Sequence, residues 1–228
     1  MTKAILFDID NTLIDFMKMK RECCKAAIDS MINAGLKMSE KDALKLLYEL
    51  YSIHGIESQR IFQQFTKKIY GKEDYRLISY GVIAYRRMRE SYLVPYPNVI
   101  STLIKLKKDY KLAIVSDAPV MEAWMRIVTM NLDSFFDVVV TKADARKQKT
   151  YVAPFNVALK RLNIKPEEAI MIGDRISRDI QIGKKAGLKT IYARYGDEHP
   201  AEAGKSGADF EISDFSDILE IVERMKTH

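Results

Sequence analysis

Cysteine is nearly absent from this chain. Of 228 residues only two carry thiols, Cys23 and Cys24, and they are neighbours. Successive residues on a helix point about 100° apart, so this pair does not readily bridge itself. No second pair exists for a disulfide framework, and the CxxC spacing of a metal knuckle is missing. Long apolar runs are missing too: nothing approaches the ~20 residues that a membrane-spanning helix requires. A secretory signal is not expected either, because acids follow directly on a four-residue apolar run near the start. These absences exclude a disulfide scaffold and an integral membrane helix. The expectation is a cytoplasmic protein with two free thiols in a helical segment. Repeats and low-complexity tracts are also lacking, so no solenoid or array needs to be considered.

What is present is an ordinary globular composition, 47% hydrophobic and 30% charged. The length suits one large domain, or one domain with a substantial insertion. The formal net charge is +6. All of the excess lies in residues 16–92, which hold 15 Lys and Arg against 9 Asp and Glu. These basic residues are interleaved with acids and form no block. That pattern describes solvated helical faces better than a nucleic-acid surface, so no nucleic-acid partner is expected.

The segment 16–92 reads as helical throughout. Apolar positions recur at helical spacing over 17–34 and stop at Gly35. Ser39 is a candidate N-cap, with Asp42 in the position usually held by Glu or Gln of a capping box, for a helix running to Ile53. Two more helices are predicted over 58–70 and 74–93. Four helices without a strand describe a small bundle. Pro95 and Pro97 then mark a boundary. Beyond it, helices near 98–109, 120–130, 154–163, 177–186 and from 216 alternate with apolar runs. Those runs are Leu112–Val115, Phe136–Val140, Ala169–Ile172, Thr190–Ala193 and Phe210–Ile212. Continuous apolar runs separated by helices predict a parallel sheet covered on both faces. Ala4–Phe7 belongs with them. The α/β domain is therefore expected to be discontinuous, residues 1–15 and 93–228, with a helical insertion over 16–92.

Parallel sheets of this kind bind ligands beyond the carboxyl ends of their strands. The residues found there are Asp8-Ile9-Asp10-Asn11-Thr12, Ser116-Asp117, and Gly173-Asp174 through Asp179. The basic stretch Arg146-Lys147-Gln148-Lys149 lies between the second and third groups. Each group alone also fits a bland role, such as a turn or an N-cap. Together they carry one chemistry. Carboxylates with no His or Cys nearby suit a hard, oxygen-liking cation such as Mg²⁺. A hydroxyl and a lysine suit phosphate oxygens.

In that order the four groups resemble the motifs of the haloacid dehalogenase (HAD) superfamily, in its phosphatase branch with a helical C1 cap. The resemblance covers the whole chain. It implies a HAD-like Rossmannoid α/β core, a parallel sheet flanked by helices, with the segment 16–92 as the cap. It implies that Asp8 is the nucleophile, forming an aspartyl-phosphate. Asp10 would be general acid and then general base. Mg²⁺ would bind Asp8, the Asp10 backbone carbonyl and Asp174, with Asp179 behind them. Thr12, Ser116 and Lys149 would hold the phosphoryl group or steady its loop. The family usually follows its third-motif lysine with proline, where Thr150 stands here. Both Lys149 and Lys147 therefore remain candidates, Lys149 being preferred by its spacing to Pro154-Phe155.

The implied activity is Mg²⁺-dependent hydrolysis of a small phosphorylated metabolite. A carboxylate at Asp10 argues against a dehalogenase, because a leaving halide needs no proton. A phosphomutase of the same superfamily, or a phosphate-binding signalling module that does not turn over, stands as the alternative. Asp15, Arg21, His54 and Arg60 are the candidate specificity residues. The region from Gly173 through Gly196 resembles an archaeal-type subgroup, some of whose members are assigned to glyceraldehyde 3-phosphate. The oligomeric state is not legible.

Overall fold

The computed structural model describes residues 1–226. The chain divides into two compact units, Met1–Asp15 with the segment from Val94 onward, and Phe16–Leu93. No helix among the described residues is long and apolar enough to cross a membrane.

The first unit is built on six parallel strands: β1 Ala4–Phe7, β2 Lys111–Ser116, β3 Val138–Thr141, β4 Ala169–Gly173, β5 Lys189–Ala193 and β6 Phe210–Ile212. Their spatial order is β3-β2-β1-β4-β5-β6. Strand β1 is central and buried throughout. Its side chains alternate between two apolar layers, as the period of a strand requires. Ala4 and Leu6 pack with Ala113, Val115, Val140, Phe155 and Met171 on one face. Phe7 meets Phe136 and Phe215 in aromatic contacts, with centroids 6.2 and 5.7 Å away. Phe7 is in register with Ile114 of β2 and Ile172 of β4. Beyond this level β2 continues to Ser116 and β4 to Gly173. From β1 the chain goes out to β2 and β3 on one side, then returns to β4 on the other. That reversal opens a crevice at the carboxyl ends of β1 and β4.

The second unit is four helices: α1 Phe16–Asn33, α2 Glu40–His54, α3 Ile61–Tyr70 and α4 Tyr75–Tyr92. Cys24, Ile28, Met31, Leu47, Phe62, Phe65 and Leu77 share its core. Ser39 does cap α2: its hydroxyl accepts the Asp42 N–H at 3.1 Å and donates to the Asp42 carboxylate at 2.6 Å. Asp74 caps α4 through the Leu77 N–H.

The helices of the first unit are α5 Val99–Leu106, α6 Val120–Thr129, α7 Lys142–Ala145, α8 Ala153–Leu162, α9 Gln181–Lys185 and α10 Asp217–Arg224. Four of these features depart from the sequence expectation. Strand β3 starts at Val138 rather than Phe136, because the Asp137 carboxylate turns away to accept the Leu112 N–H and the Lys107 ammonium. The short helix α7 was not foreseen; it is closed by a capping box between Thr141 and Asp144. Helix α5 ends early, in turns running to Tyr110. The expected helix over 177–186 begins instead as a wide π-type turn, Ile176–Ile180.

Candidate active site

The site starts from the chain leaving β1. The Asp8 N–H donates to Ile172 O of β4 at 2.9 Å, which ties the strand end to its neighbour. The loop then coils tightly, with the N–H groups of Thr12 and Leu13 both aimed at Ile9 O. Asn11 takes a left-handed conformation, φ 57°, which an Asx residue tolerates. Two later residues hold the loop from outside. Tyr195 donates its hydroxyl to Thr12 O at 2.7 Å. A Cβ on Gly196 would lie 1.6 Å from Asn11 O, so only glycine permits that approach.

Three carboxylates meet at the strand ends. Oxygens of Asp8, Asp174 and Asp179 lie within 4.8 Å of one another, and all three residues are buried. Lys149 reaches into the group, with its ammonium 2.6 Å from Asp8 Oδ1 and 2.6 Å from Asp179 Oδ1. The Asp117 carboxylate fixes the lysine backbone by accepting the Lys149 N–H at 2.7 Å, and pairs with Arg178 at 3.2 Å. Burial opposes the charge on Lys149, but Asp179, Asp8 and Asp117 outweigh it and hold the ammonium well above the usual lysine range. Lys147 is exposed and lies over the Tyr151 ring at 4.9 Å, outside the group.

The wide turn after β4 explains how Asp179 arrives here. Both the Asp179 and Ile180 N–H groups point to Arg175 O. This folds the Asp179 carboxylate back over the strand end, where it accepts the Arg175 N–H at 3.0 Å. It comes so close to Gly173 that a Cβ there would sit 2.3 Å from it. Glycine at 173 is therefore a packing requirement of the site.

The group is crowded with negative charge. Burial, then Asp8 and Asp179, push the Asp174 carboxyl up to about 9. Burial likewise pushes Asp179 up to about 6, although Lys149 pulls it back. Asp174 Oδ2 faces Asn11 Nδ2 at 3.4 Å, and its Oδ1 is buried with no hydrogen-bond partner. An orphaned buried carboxylate oxygen among like charges costs free energy. The donor set is all oxygen. It fits a hard divalent cation such as Mg²⁺, which would take the orphaned oxygen and offset the crowding.

The other predicted residues stand as follows. Ser116 is buried, and its hydroxyl accepts the Ala118 N–H at 3.2 Å, a short local turn at the end of β2. Thr12 is fully buried and its hydroxyl has no hydrogen-bond partner. Asp10 does not join the three carboxylates; its Oδ2 accepts from Arg126 of α6 at 2.8 Å. Asp15 is half-buried in the first unit. In the second unit Arg21 and His54 are exposed, and Arg60 pairs with Glu73 at 3.0 Å. The sequence reading did not single out Arg126, nor Tyr195 and Gly196 as the clamp on the first loop. Arg126 had one visible signal: it falls at helical spacing on the same side as Ala123 and Ile127.

A lysine held between carboxylates, at the switch point of a six-stranded parallel sheet, is the build of an α/β enzyme that binds an anion through a cation. The chain belongs to the haloacid dehalogenase-like hydrolase family, whose model matches residues 5–193. It is 35% identical over 226 residues to the glyceraldehyde 3-phosphate phosphatase of Methanothermobacter thermautotrophicus, covering 97% of this chain and 100% of that one. Among solved structures it is similar to a HAD phosphatase from Thermococcus onnurineus. The TM-score is 0.70 at 27% identity, over 97% of this chain and 98% of that one. It also shares its fold with a HAD-hydrolase from Bacillus subtilis bound to magnesium. There the TM-score is 0.71 at 19% identity, over 97% and 98% of the two chains.

Proposed function

We propose that this chain is a magnesium-dependent phosphatase of small phosphorylated metabolites, working in the cytoplasm through a phosphoryl group carried transiently on Asp8. The observation that carries this reading is the Lys149 ammonium, 2.6 Å from both Asp8 and Asp179, beside the orphaned oxygen of Asp174. A buried cation against a carboxylate nucleophile is an arrangement for gathering phosphoryl charge.

The residues then divide the work. An Asp8 oxygen attacks phosphorus and the ester P–O bond breaks. Asp10, protonated for this step, gives its proton to the departing alkoxide. In the second half Asp10 takes a proton from water as that water attacks phosphorus. The Asp8–phosphorus bond breaks and inorganic phosphate leaves. The Ser116 hydroxyl and the Lys149 ammonium hold phosphoryl oxygens, and Asp179 keeps Lys149 in position. Thr12 steadies the nucleophile loop. Magnesium, when bound, would be held by Asp8, Asp174 and the Asp10 carbonyl, and would draw charge from the phosphoryl oxygens.

The helical unit is read as the cap that selects the substrate, with Asp15, Arg21, His54 and Arg60 as candidate specificity residues. Glyceraldehyde 3-phosphate is the favoured substrate, because relatives at 35% and 34% identity, each matched over 97% of this chain, carry that activity in their names. No nucleic-acid partner is part of this reading.

The test is phosphate release from 4-nitrophenyl phosphate and from a panel of phosphometabolites, with Mg²⁺ and with EDTA. Hydrolysis should need Mg²⁺, and Asp8→Asn should lower it by at least ~10³-fold, as loss of a covalent nucleophile does. Full activity in Asp8→Asn would sink the reading.

A further inference from the structure

We propose that Arg126 is a positioning residue for proton transfer: it fixes the Asp10 carboxylate toward the leaving group. The inference rests on the phosphatase reading above.

It begins with a helix that turns one charged side chain inward among its buried apolar ones. The buried positions of α6 are Ala123, Arg126 and Ile127. Its exposed positions include Met121, Trp124 and Val128. The inward face of an amphipathic helix is normally apolar. Arg126 is only 3% exposed. A guanidinium taken out of water costs several kcal/mol unless a partner compensates it. That compensation includes Asp10, across 116 positions of sequence, at 2.8 Å. The arrangement stabilises the helix less than an apolar residue at 126 would. It makes sense if the arginine is there for Asp10.

Asp10 needs such a partner. Its backbone is set by the coiled loop, where Asp10 and Ile14 form an isolated bridge. Its side chain is 24% exposed, while that of Arg126 is 4% exposed. The arginine is therefore the fixed member of the pair and the aspartate the movable one. A planar guanidinium constrains a carboxylate in direction as well as distance. Without it, Asp10 would lose that directional constraint.

A misdirected Asp10 has a signature that a structural defect lacks. An alkoxide must be protonated as it leaves, whereas 4-nitrophenolate leaves well without a proton. Loss of Arg126 should therefore lower kcat/KM, which reports only as far as the phosphoenzyme, for alkyl phosphates and hardly for 4-nitrophenyl phosphate. The experiment compares wild type, Arg126→Ala, Arg126→Lys and Asp10→Asn on glyceraldehyde 3-phosphate and 4-nitrophenyl phosphate, with Mg²⁺ present. In Arg126→Ala, kcat/KM on glyceraldehyde 3-phosphate should fall on the order of 10–100-fold. On the aryl ester it should fall by less than about 3-fold, given that proton transfer contributes ~10²–10⁴-fold. A slower shared second step, in which Asp10 takes the water proton, lowers kcat on both esters, so the comparison is made on kcat/KM. Arg126→Lys should recover part of the loss by restoring the charge without the fork.

Equal losses of kcat/KM on both esters, or no loss on either, would overturn the assignment. Should Arg126→Ala not fold, Arg126→Met keeps the packed stem and is judged by the same ratio. The Asp10→Asn control separates the two levels of inference. Preferential loss in Asp10→Asn but not in the Arg126 variants overturns the role of Arg126 alone. A wild-type enzyme without Mg²⁺-dependent hydrolysis of either ester overturns the phosphatase reading and this inference with it.

Discussion

The two units bury different kinds of polar group. Of the six buried charged side chains among the described residues, Asp8, Arg126, Lys149, Asp174 and Asp179 are in the sheet unit and only Lys20 is in the helical unit. The partners of Lys20 include the Tyr85 hydroxyl at 3.1 Å and the Tyr51 ring at 4.0 Å. Around it the helical unit keeps thiols and phenols neutral: burial pushes Cys23, Cys24, Tyr51 and Tyr85 upward. The sheet unit does the opposite at its periphery. There Asp137, Asp144 and Asp209 are held below the usual carboxylate range. Burial works against this, but Lys107, Arg161 and Lys184 outweigh it together with backbone N–H donors. Charge is thus concentrated where strand ends and crossing loops supply donors. A four-helix packing satisfies its own backbone and has few donors to offer a buried ion. The comparison teaches why the proposed chemistry is assigned to one unit: that unit holds five buried charged side chains at once.

The strongest way to break this contrast is Lys149→Met. It removes the one ammonium among three buried carboxylates and leaves them facing one another. Breaking a buried ion pair costs ~3–5 kcal/mol, and losing a cation at the phosphoryl group costs ~10²–10³-fold in kcat. Both losses should appear together. The lone tryptophan, Trp124, is in the sheet unit and both cysteines are in the helical unit. Tryptophan fluorescence and thiol reactivity therefore report the two units separately. The Lys149→Met melt should shift in fluorescence; an unshifted melt would mean that the carboxylates are relieved by some other route.

A second, smaller effect is in the pH dependence of the metal-free protein. Asp174 is pushed up to about 9 and Asp179 to about 6, from an ordinary value of 3.8. A carboxyl raised on folding contributes stability that is fully present below its unfolded value and is lost as pH rises through the folded one. The depressed carboxylates run the other way. Their contribution is present above about 3.8 and lost as pH falls through still lower values, so it is constant above about pH 5.5. Between about pH 5.5 and about pH 9 the metal-free sheet unit should therefore lose stability. Saturating Mg²⁺ should raise the fluorescence melt, by ~2.7 kcal/mol at 100 times Kd, and flatten the pH trend. A metal-free melt that rises over this range would contradict the crowding of the site.

How much of this was legible in the sequence follows from the same physics. The strand ends were legible because a parallel strand is a continuous apolar run, and an acid at its end is conspicuous: Phe7 to Asp8, and Gly173 to Asp174. The helical insertion was legible from its spacing and from the Ser39 cap. Interactions across long sequence distances were not. Nothing local to Arg126 names Asp10 as its partner; the strand order and the α6 crossover bring them together. The choice between Lys147 and Lys149 likewise depends on the turn through which Asp117 anchors the Lys149 N–H. The wide turn at Ile176–Ile180 was read as ordinary helix, because its widening serves Asp179 and leaves no mark in the apolar pattern.

The smallest effects are in the helical unit, and they test whether its stability is independent of buried charge. Burial pushes the Cys23 thiol up to about 12 from 9.0. A thiol raised on folding contributes stability that is fully present below about 9 and is lost as pH rises toward about 12. In base, then, the thiols should become reactive before Trp124 fluorescence changes, and Mg²⁺ should not delay them. Ser39→Ala isolates the same unit at neutral pH. It removes an N-cap that accepts the Asp42 N–H, worth ~1 kcal/mol. Thiol labelling through local opening should accelerate about 5-fold, because one such decrement raises the open population by that factor. Hydrolysis of 4-nitrophenyl phosphate and the Trp124 melt should be unchanged. A matching shift in the Trp124 melt would show that the two units open together, and the contrast between an interior rich in buried charge and one with little would then no longer divide the stability of the chain.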